Sequence, residues 1–143
     1  MHAVFLDYKT VDANDLDLGS IEALLPEIVV YAFSNEEEVL ARIEDAEVAI
    51  ANKVVFDANV FARATKLKLI CVTATGTNNI DLEAAKQSGV VVCNIRDYCT
   101  ESVVQHVLLS ILTLKHSSRD YSASMDNGDW QDGKSFSLLQ HPI

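Results

Sequence analysis

Short apolar runs alternate with amphipathic stretches over the first 93 residues of the chain. Runs rich in β-branched residues predict strands, and the stretches between them have the periodicity of helices. Such alternation is typical of a parallel sheet that is covered on both faces. The pattern therefore predicts an α/β fold, a flavodoxin-like, doubly wound, parallel five-stranded sheet within residues 1–98. The predicted strands are residues 3–6, 28–32, 48–50, 69–72 and 90–93.

Capping residues mark where the predicted helices begin and end. Ser34 is expected to cap a helix, with Glu37 three residues later completing a capping box. Asp57 and Asp81 are placed to cap two further helices, and Gly89 is placed to end the second of them. With a short helix before Pro26, the predicted helices include residues 19–25, 57–64 and 81–88.

The last third of the chain has a different pattern. Residues 100 to about 121 predict one long helix that is apolar on most sides, and such a helix must be covered on more than one face. Residues 124–143 show no periodicity and predict an irregular C-terminal arm. The expected divisions are thus a domain at 1–98, a long helix at 99–123 and an arm at 124–143.

Charge and hydropathy exclude some classes of partner. The net charge is −10, and residues 1–50 carry all of it, with twelve acidic and two basic residues. Because phosphate contacts need a basic face, no nucleic-acid partner is expected. No apolar run approaches the ~20 residues that cross a bilayer, so no membrane partner is expected either. The N-terminus lacks a secretory pattern, which favours a cytoplasmic location.

The cysteines and histidines predict neither a metal site nor a nucleophilic triad. Cys71, Cys93 and Cys99 have no paired CxxC spacing, and the first two lie in apolar runs where thiols act as small hydrophobic side chains. His106 lies on the apolar helix and is expected to be a buried, hydrogen-bonded histidine. No spacing of histidine, cysteine and carboxylate predicts a metal-binding or catalytic residue.

Polar residues follow the predicted strands at the edge where open α/β sheets bind ligands. The turn Thr75–Gly76 lies between a strand and a helix, so its backbone N–H groups favour an anion site. A tight turn that simply needs glycine is an equally good explanation. Lys53 adds charge at the same edge, although it is also typical of a solvated lysine. The residues collected there are Asp7, 52–53, 73–77 and 94–96.

The glycines carry no nucleotide-phosphate motif. They occupy positions 19, 76, 89, 128 and 133, so no GxG pair exists in these 143 residues. Both the GxGxxG fingerprint and the phosphate-binding P-loop need closely spaced glycines. The sequence therefore predicts no nucleotide-phosphate site of its own.

Several segments together resemble the D-isomer-specific 2-hydroxyacid dehydrogenases. The run Ala74 to Lys86, followed by Gly89 to Asn94, is similar to the signature of that family. Thr100 to His106 resembles its interdomain helix, although Gln105 stands where the family often has glutamate. Residues 52–54 and 130–143 are similar to the glycerate dehydrogenase (hydroxypyruvate reductase) branch.

The resemblance implies an N-terminal fragment of a longer enzyme, consisting of a substrate domain without most of the Rossmann domain. It implies a small 2-keto acid substrate, such as hydroxypyruvate or glyoxylate, and NAD or NADP in the full-length protein, with none bound to this fragment. The implied homodimer forms through residues 100–143, and the family's catalytic residues lie outside the chain. The implied substrate-binding residues are Asn52, Lys53, Thr75 and Gly76, and the implied cofactor-binding residues are Thr75 and Thr100.

Two other classes fit the predicted fold. A phospho-receiver signalling domain needs an aspartate at the end of its third strand, where this chain has Ala51, Asn52 and Lys53. A stand-alone interaction module that docks through the apolar helix is the other alternative.

Overall fold

A computed structural model describes residues 1–132, which fall into two compact units that divide after Asp97. The first unit is a five-stranded parallel sheet with the order β2-β1-β3-β4-β5. This order is that of a flavodoxin-like doubly wound sheet, so the predicted fold class is confirmed. The strands are β1 (Ala3–Phe5), β2 (Ile28–Val30), β3 (Val48–Ala51), β4 (Leu69–Val72) and β5 (Val91–Asn94).

Four helices connect the strands, and aspartate caps two of them as the sequence predicts. The carboxylate of Asp57 accepts the backbone N–H of Val60 at 2.9 Å, and that of Asp81 accepts the N–H of Ala84 at 2.9 Å. Gly89 follows the last of these helices with φ +72°, a left-handed conformation that glycine adopts without strain. The helices are α1 (Gly19–Leu24), α2 (Glu36–Ile43), α3 (Ala58–Arg63) and α4 (Leu82–Gln87).

The predicted cap of α2 is wrong by one residue. Asn35, not Ser34, forms the capping box, and its partner is Glu38 rather than Glu37. Ser34 instead donates its hydroxyl proton to the carbonyl of Leu6. Both spacings satisfy the capping pattern, so a tertiary contact to the end of β1 decides between them.

The main core lies between one face of the sheet and helices α2 to α4. Val39 and Ile43 of α2 are buried there, as their helical spacing predicts. The opposite face is less well covered near β4 and β5, where Val91 is 58% exposed and Cys93 is also exposed. The expectation of a sheet covered on both faces is therefore wrong at this side of the first unit. The largest fully buried side chains are Phe56, Leu6, Ile43, Ile70 and Val4.

The second unit, as far as residue 132, contains three helices where the sequence predicts one long helix and the start of an irregular arm. They are α5 (Thr100–Lys115), α6 (Ser118–Asp126) and α7 (Asp129–Asp132). The predicted helix breaks at Ser117, whose left-handed φ of +47° starts a new direction. Serine side chains compete for backbone hydrogen bonds, so the His116–Ser117–Ser118 sequence favours this break. The rest of the predicted arm, residues 133–143, lies outside the described residues.

Helix α5 is apolar on most sides, as predicted, but none of its residues is buried. His106 is exposed as well, so the expectation that it is buried is wrong. Among residues 1–132, no helix is long and apolar enough to span a membrane. Eight aliphatic side chains of α5 are each at least half exposed: Val103, Val104, Val107, Leu108, Leu109, Ile111, Leu112 and Leu114.

Candidate substrate-binding edge

The polar loops after β1, β3 and β4 meet at the carboxyl edge of the sheet. In the sheet order, β1 and β3 are neighbours, and the chain leaves them toward opposite sides of the sheet. Ligands of open α/β sheets bind at such a switch point. The sequence therefore places its candidate residues at the part of the first unit where the fold favours a ligand.

Asp7 fixes the loop that follows β3. Its carboxylate is buried and accepts the backbone N–H of Asn52 at 2.9 Å, that of Lys53 at 2.6 Å and that of Val54 at 3.3 Å. These bonds satisfy the amides of residues 52–54, which we call the 52–54 loop. A ligand at this loop must therefore be bound by its side chains rather than by its backbone donors. The sequence places Asp7 at this edge but does not predict this structural role.

Contacts on two other sides complete the support of the 52–54 loop. The side-chain amide of Asn79 donates to the carbonyl of Val54 at 2.7 Å. The amide of Asn52, which is itself buried, donates to the hydroxyl of Thr10 at 3.0 Å. Lys53 is different, because its side chain is exposed and its ammonium has no hydrogen bond or ion pair with any of residues 1–132. Lys53 is thus a positively charged group on a rigid support.

The loop after β4 presents free backbone donors. Thr75 and Gly76 are exposed, and the amides of residues 75–77, which we call the 75–77 loop, donate no hydrogen bond within residues 1–132. Two carbonyl oxygens of the loop accept hydrogen bonds: the side-chain amide of Asn94 donates to that of Thr75 at 2.7 Å, and the backbone amide of Ile80 donates to that of Thr77 at 3.0 Å. A loop with anchored acceptors and free donors is suited to binding an anion.

The glycine in this loop is not required by the turn itself. Gly76 has no left-handed φ, in contrast to Gly89 and Gly128. A Cβ built on Gly76 would meet only the side-chain oxygen of Asn78, at 3.0 Å, and no backbone atom within 4 Å. The exposed side chain of Asn78 is free to shift. A tight turn therefore does not explain why residue 76 is a glycine. The explanation that remains is that a ligand approaches the backbone closely at this position.

Thr100, the other residue implied in cofactor binding, lies in the second unit. It is the first residue of α5 and is exposed. Within the described residues, the structure thus brings Asn52, Lys53, Thr75 and Gly76 to one edge of the first unit. Within residues 1–132, no group of three histidine, cysteine or acidic residues is placed to hold a metal ion.

A second buried carboxylate orders the segment next to this edge. Asp12 accepts the ammonium of Lys9 at 2.7 Å and the backbone N–H groups of Asn14 at 3.0 Å and Asp15 at 3.1 Å. The hydrogen bond from Lys9, supported by backbone N–H groups, lowers the pKa of Asp12 to about 2. The ionised carboxylate is therefore the form that stabilises the segment.

We expect this segment to loosen in acid. When the segment opens, the pKa of Asp12 returns to its ordinary value of 3.8, so its stabilising effect is complete above that pH and is lost as pH falls toward 2. Amide hydrogen exchange at Asn14 and Asp15 should accelerate over this range relative to the core strands. In the Asp12→Asn variant, exchange should be fast already at pH 6 and should change little with acid. Unchanged protection of these amides in that variant would contradict the assignment.

Comparison with known proteins assigns the chain to a family. The family described as D-isomer specific 2-hydroxyacid dehydrogenase, catalytic domain, matches residues 5–133. The chain belongs to this family. A glycerate dehydrogenase of Methylorubrum extorquens is 39% identical to this chain over 141 residues, which are 98% of this chain and 44% of the relative. A hydroxypyruvate reductase of Blautia hydrogenotrophica is 32% identical over 146 aligned residues, and the alignment covers 100% of this chain and 45% of the relative.

The chain of this dehydrogenase family spans less than half the length of those relatives. A solved structure is also similar: the NAD+-bound 3-phosphoglycerate dehydrogenase of Entamoeba histolytica, with a TM-score of 0.57 and 29% identity. That match covers 66% of this chain and 32% of the other. The fold is therefore that of this family, and neither a receiver domain nor a stand-alone interaction module is needed to explain it.

Proposed function

We propose that the chain is the substrate-binding part of an oxidoreductase that transfers a hydride between a nicotinamide cofactor and a small 2-keto or 2-hydroxy acid. The observation that carries the proposal is the 75–77 loop, with free amide donors and a glycine that its turn does not need. The names of the two relatives favour hydroxypyruvate and glycerate as the substrate pair. Glyoxylate and glycolate, which the resemblance of the sequence implies, form a second candidate pair.

In this proposal, the amides of Thr75 and Gly76 bind the substrate carboxylate. These donors make no hydrogen bond to residues 1–132, so binding an anion replaces only their bonds to water, and charge-assisted hydrogen bonds are the stronger kind. The ammonium of Lys53, on the rigid 52–54 loop, raises the positive potential at the same edge. Asn52 contributes by fixing that loop, since its own amide already binds Thr10.

The nicotinamide cofactor supplies the hydride when it is bound. The residues of this chain do not fit the pyrophosphate of that cofactor, because the 143 residues contain no glycine-rich motif. We therefore assign most of the cofactor site, and the groups that move the proton, to a part of the protein outside this chain. Thr75 and Thr100 are the residues of this chain that we place beside the cofactor.

This assignment gives each segment of the chain a proposed role. Residues 1–98 form the substrate domain, residues 99–123 connect it to the cofactor domain, and residues 124–143 lead into that domain. The structural division after Asp97 is compatible with the first boundary.

The proposal is tested by comparing this chain with a longer one that includes the cofactor domain. The longer protein should reduce hydroxypyruvate or glyoxylate with NADH or NADPH, monitored by loss of absorbance of the reduced nicotinamide. The 143-residue chain alone should show no turnover, and NAD binding by calorimetry should be weaker than micromolar. Absence of turnover with every short 2-keto acid, or tight NAD binding by the chain alone, would overturn the proposal.

We also propose that two copies associate through residues 100–143. Eight aliphatic side chains of α5 are each at least half exposed, and burying apolar surface gains roughly 25 cal/mol per Å². Sedimentation equilibrium of the chain should therefore show a dimer. The Leu109→Lys variant should shift the protein toward monomer, whereas Gln87→Lys, which adds the same charge at the end of α4, should not. A wild-type monomer at high concentration would contradict this association.

A further inference from the structure

Two cysteines lie side by side on neighbouring parallel strands. Cys71 of β4 and Cys93 of β5 are paired residues in the register of the sheet. Neighbouring strands are about 4.8 Å apart, and residues in register point their side chains to the same face. The two thiols are thus near one another, although 21 residues separate them in the sequence.

The surroundings of the pair are apolar and accessible. Cys71 is partly buried and Cys93 is exposed, and both are free thiols. The next pair in register on this face is Leu69 and Val91, and Val91 is 58% exposed. Burial and the neighbouring Cys93 raise the pKa of Cys71, which agrees with a close thiol pair in an apolar setting. Neither cysteine belongs to a larger set of metal-ligating side chains within residues 1–132.

We propose that Cys71 and Cys93 form a binding site for one soft monovalent metal ion of the Cu(I) class. Soft thiolate ligands select Cu(I). Zinc is a poor fit because it takes four ligands in structural sites and three protein ligands in catalytic ones. On binding, two S–H bonds break, two sulfur–copper bonds form, and two protons are released to solvent. No electron is transferred in this step.

The site is distinct from the proposed substrate edge. Cys71 and Cys93 lie within β4 and β5, whereas the 75–77 loop follows the end of β4. Neither cysteine belongs to the 52–54 loop or the 75–77 loop, so its substitution changes no residue of either loop. The metal site can therefore be tested in this chain without reference to the proposed activity.

The experiment is an anaerobic Cu(I) titration of the 143-residue chain against the chromogenic chelator bicinchoninate. The wild-type chain and Cys99→Ser should each withdraw one equivalent of Cu(I) from the chelator. Cys71→Ser and Cys93→Ser should each weaken the binding at least a hundredfold, while their far-UV circular dichroism stays that of the wild type. X-ray absorption of the copper-loaded chain should show two sulfur neighbours.

Several results would overturn this assignment. They include copper binding that survives either single substitution, binding that needs Cys99, and a stoichiometry of one copper ion per two chains. If a serine variant does not fold, alkylation of the exposed Cys93 in the folded wild-type chain gives the same test. Retention of the copper equivalent after that alkylation would also exclude the site.

Discussion

Replacement of Asp7 by alanine is expected to lower the free energy of unfolding of this chain by about 3 kcal/mol, because it leaves buried backbone donors without a partner. Asp7 is 3% exposed, and its carboxylate accepts the N–H groups of Asn52, Lys53 and Val54. Buried groups of this kind cost ~1–3 kcal/mol each when they are unsatisfied, and some regain water when the loop opens. Urea denaturation followed by circular dichroism measures the change.

The matched control is Glu37→Ala, which removes an exposed carboxylate that has no hydrogen bond within residues 1–132. Its midpoint in urea should stay close to that of the wild type, since surface substitutions usually change stability by less than ~0.5 kcal/mol. The Asp7→Asn variant should be destabilised as well, because one of the two side-chain oxygens becomes an NH2 group, which cannot accept the backbone N–H groups of residues 52–54. Equal midpoints for the Asp7→Ala and Glu37→Ala variants would show that Asp7 does not hold the 52–54 loop.

Substitution of Gly76 by alanine is expected to raise the KM of the longer enzyme for its 2-keto acid by tenfold or more. The added methyl group stands where the proposed carboxylate approaches the backbone, and loss of one charge-assisted hydrogen bond of ~1.5–3 kcal/mol corresponds to at least a tenfold weaker complex. The fold should tolerate the change, since only the flexible side chain of Asn78 is close. Steady-state kinetics measures the expected rise in KM, and thermal unfolding checks that the fold is retained.

Gly89→Asn is the control for Gly76→Ala. Gly89 lies before β5, at the amino ends of the strands and away from the carboxyl edge. Asparagine tolerates its left-handed φ of +72°. This variant should retain the KM of the wild type even if its melting temperature is slightly lower. An unchanged KM in Gly76→Ala would exclude the 75–77 loop as the carboxylate site, and an equal rise in both variants would indicate a loss of structure instead.

The sheet was predictable from the sequence because its strands are short apolar runs with strong boundaries. Asp57 and Asp81 each have one helix to cap, so local chemistry alone decides their role. Ser34 and Asn35 show where local chemistry is not enough, since both fit the same capping pattern. The contact of Ser34 with Leu6, 28 residues away, could not be obtained from spacing.

The second unit was less predictable because apolar periodicity does not detect a single change of direction. The pattern continues past Ser117, whereas the backbone turns there. His106 illustrates a related error, since an apolar sequence context predicts burial only when another element covers the helix. The exposed aliphatic side chains around it show that the described residues do not provide that cover.

The position of the candidate site was predictable from the sequence, but the hydrogen bonds that hold its loops were not. The carboxyl ends of the strands follow from the fold, and they located Asn52, Lys53, Thr75 and Gly76. The buried role of Asp7 depends on a partner loop 45 residues further along the chain. Its signal in the sequence is an aspartate directly after a buried strand. The pairing of Cys71 with Cys93 likewise depends on the strand register.

The strand order also bears on how the chain folds as the ribosome releases it. After β1 and β2 have paired, each later strand is added to the same open edge: β3 beside β1, β4 beside β3 and β5 beside β4. No strand has to insert between two that are already paired, so this topology allows the strands to pair in the order of synthesis. At each stage the newest strand is an unprotected edge, the kind of surface that pairs with other nascent chains.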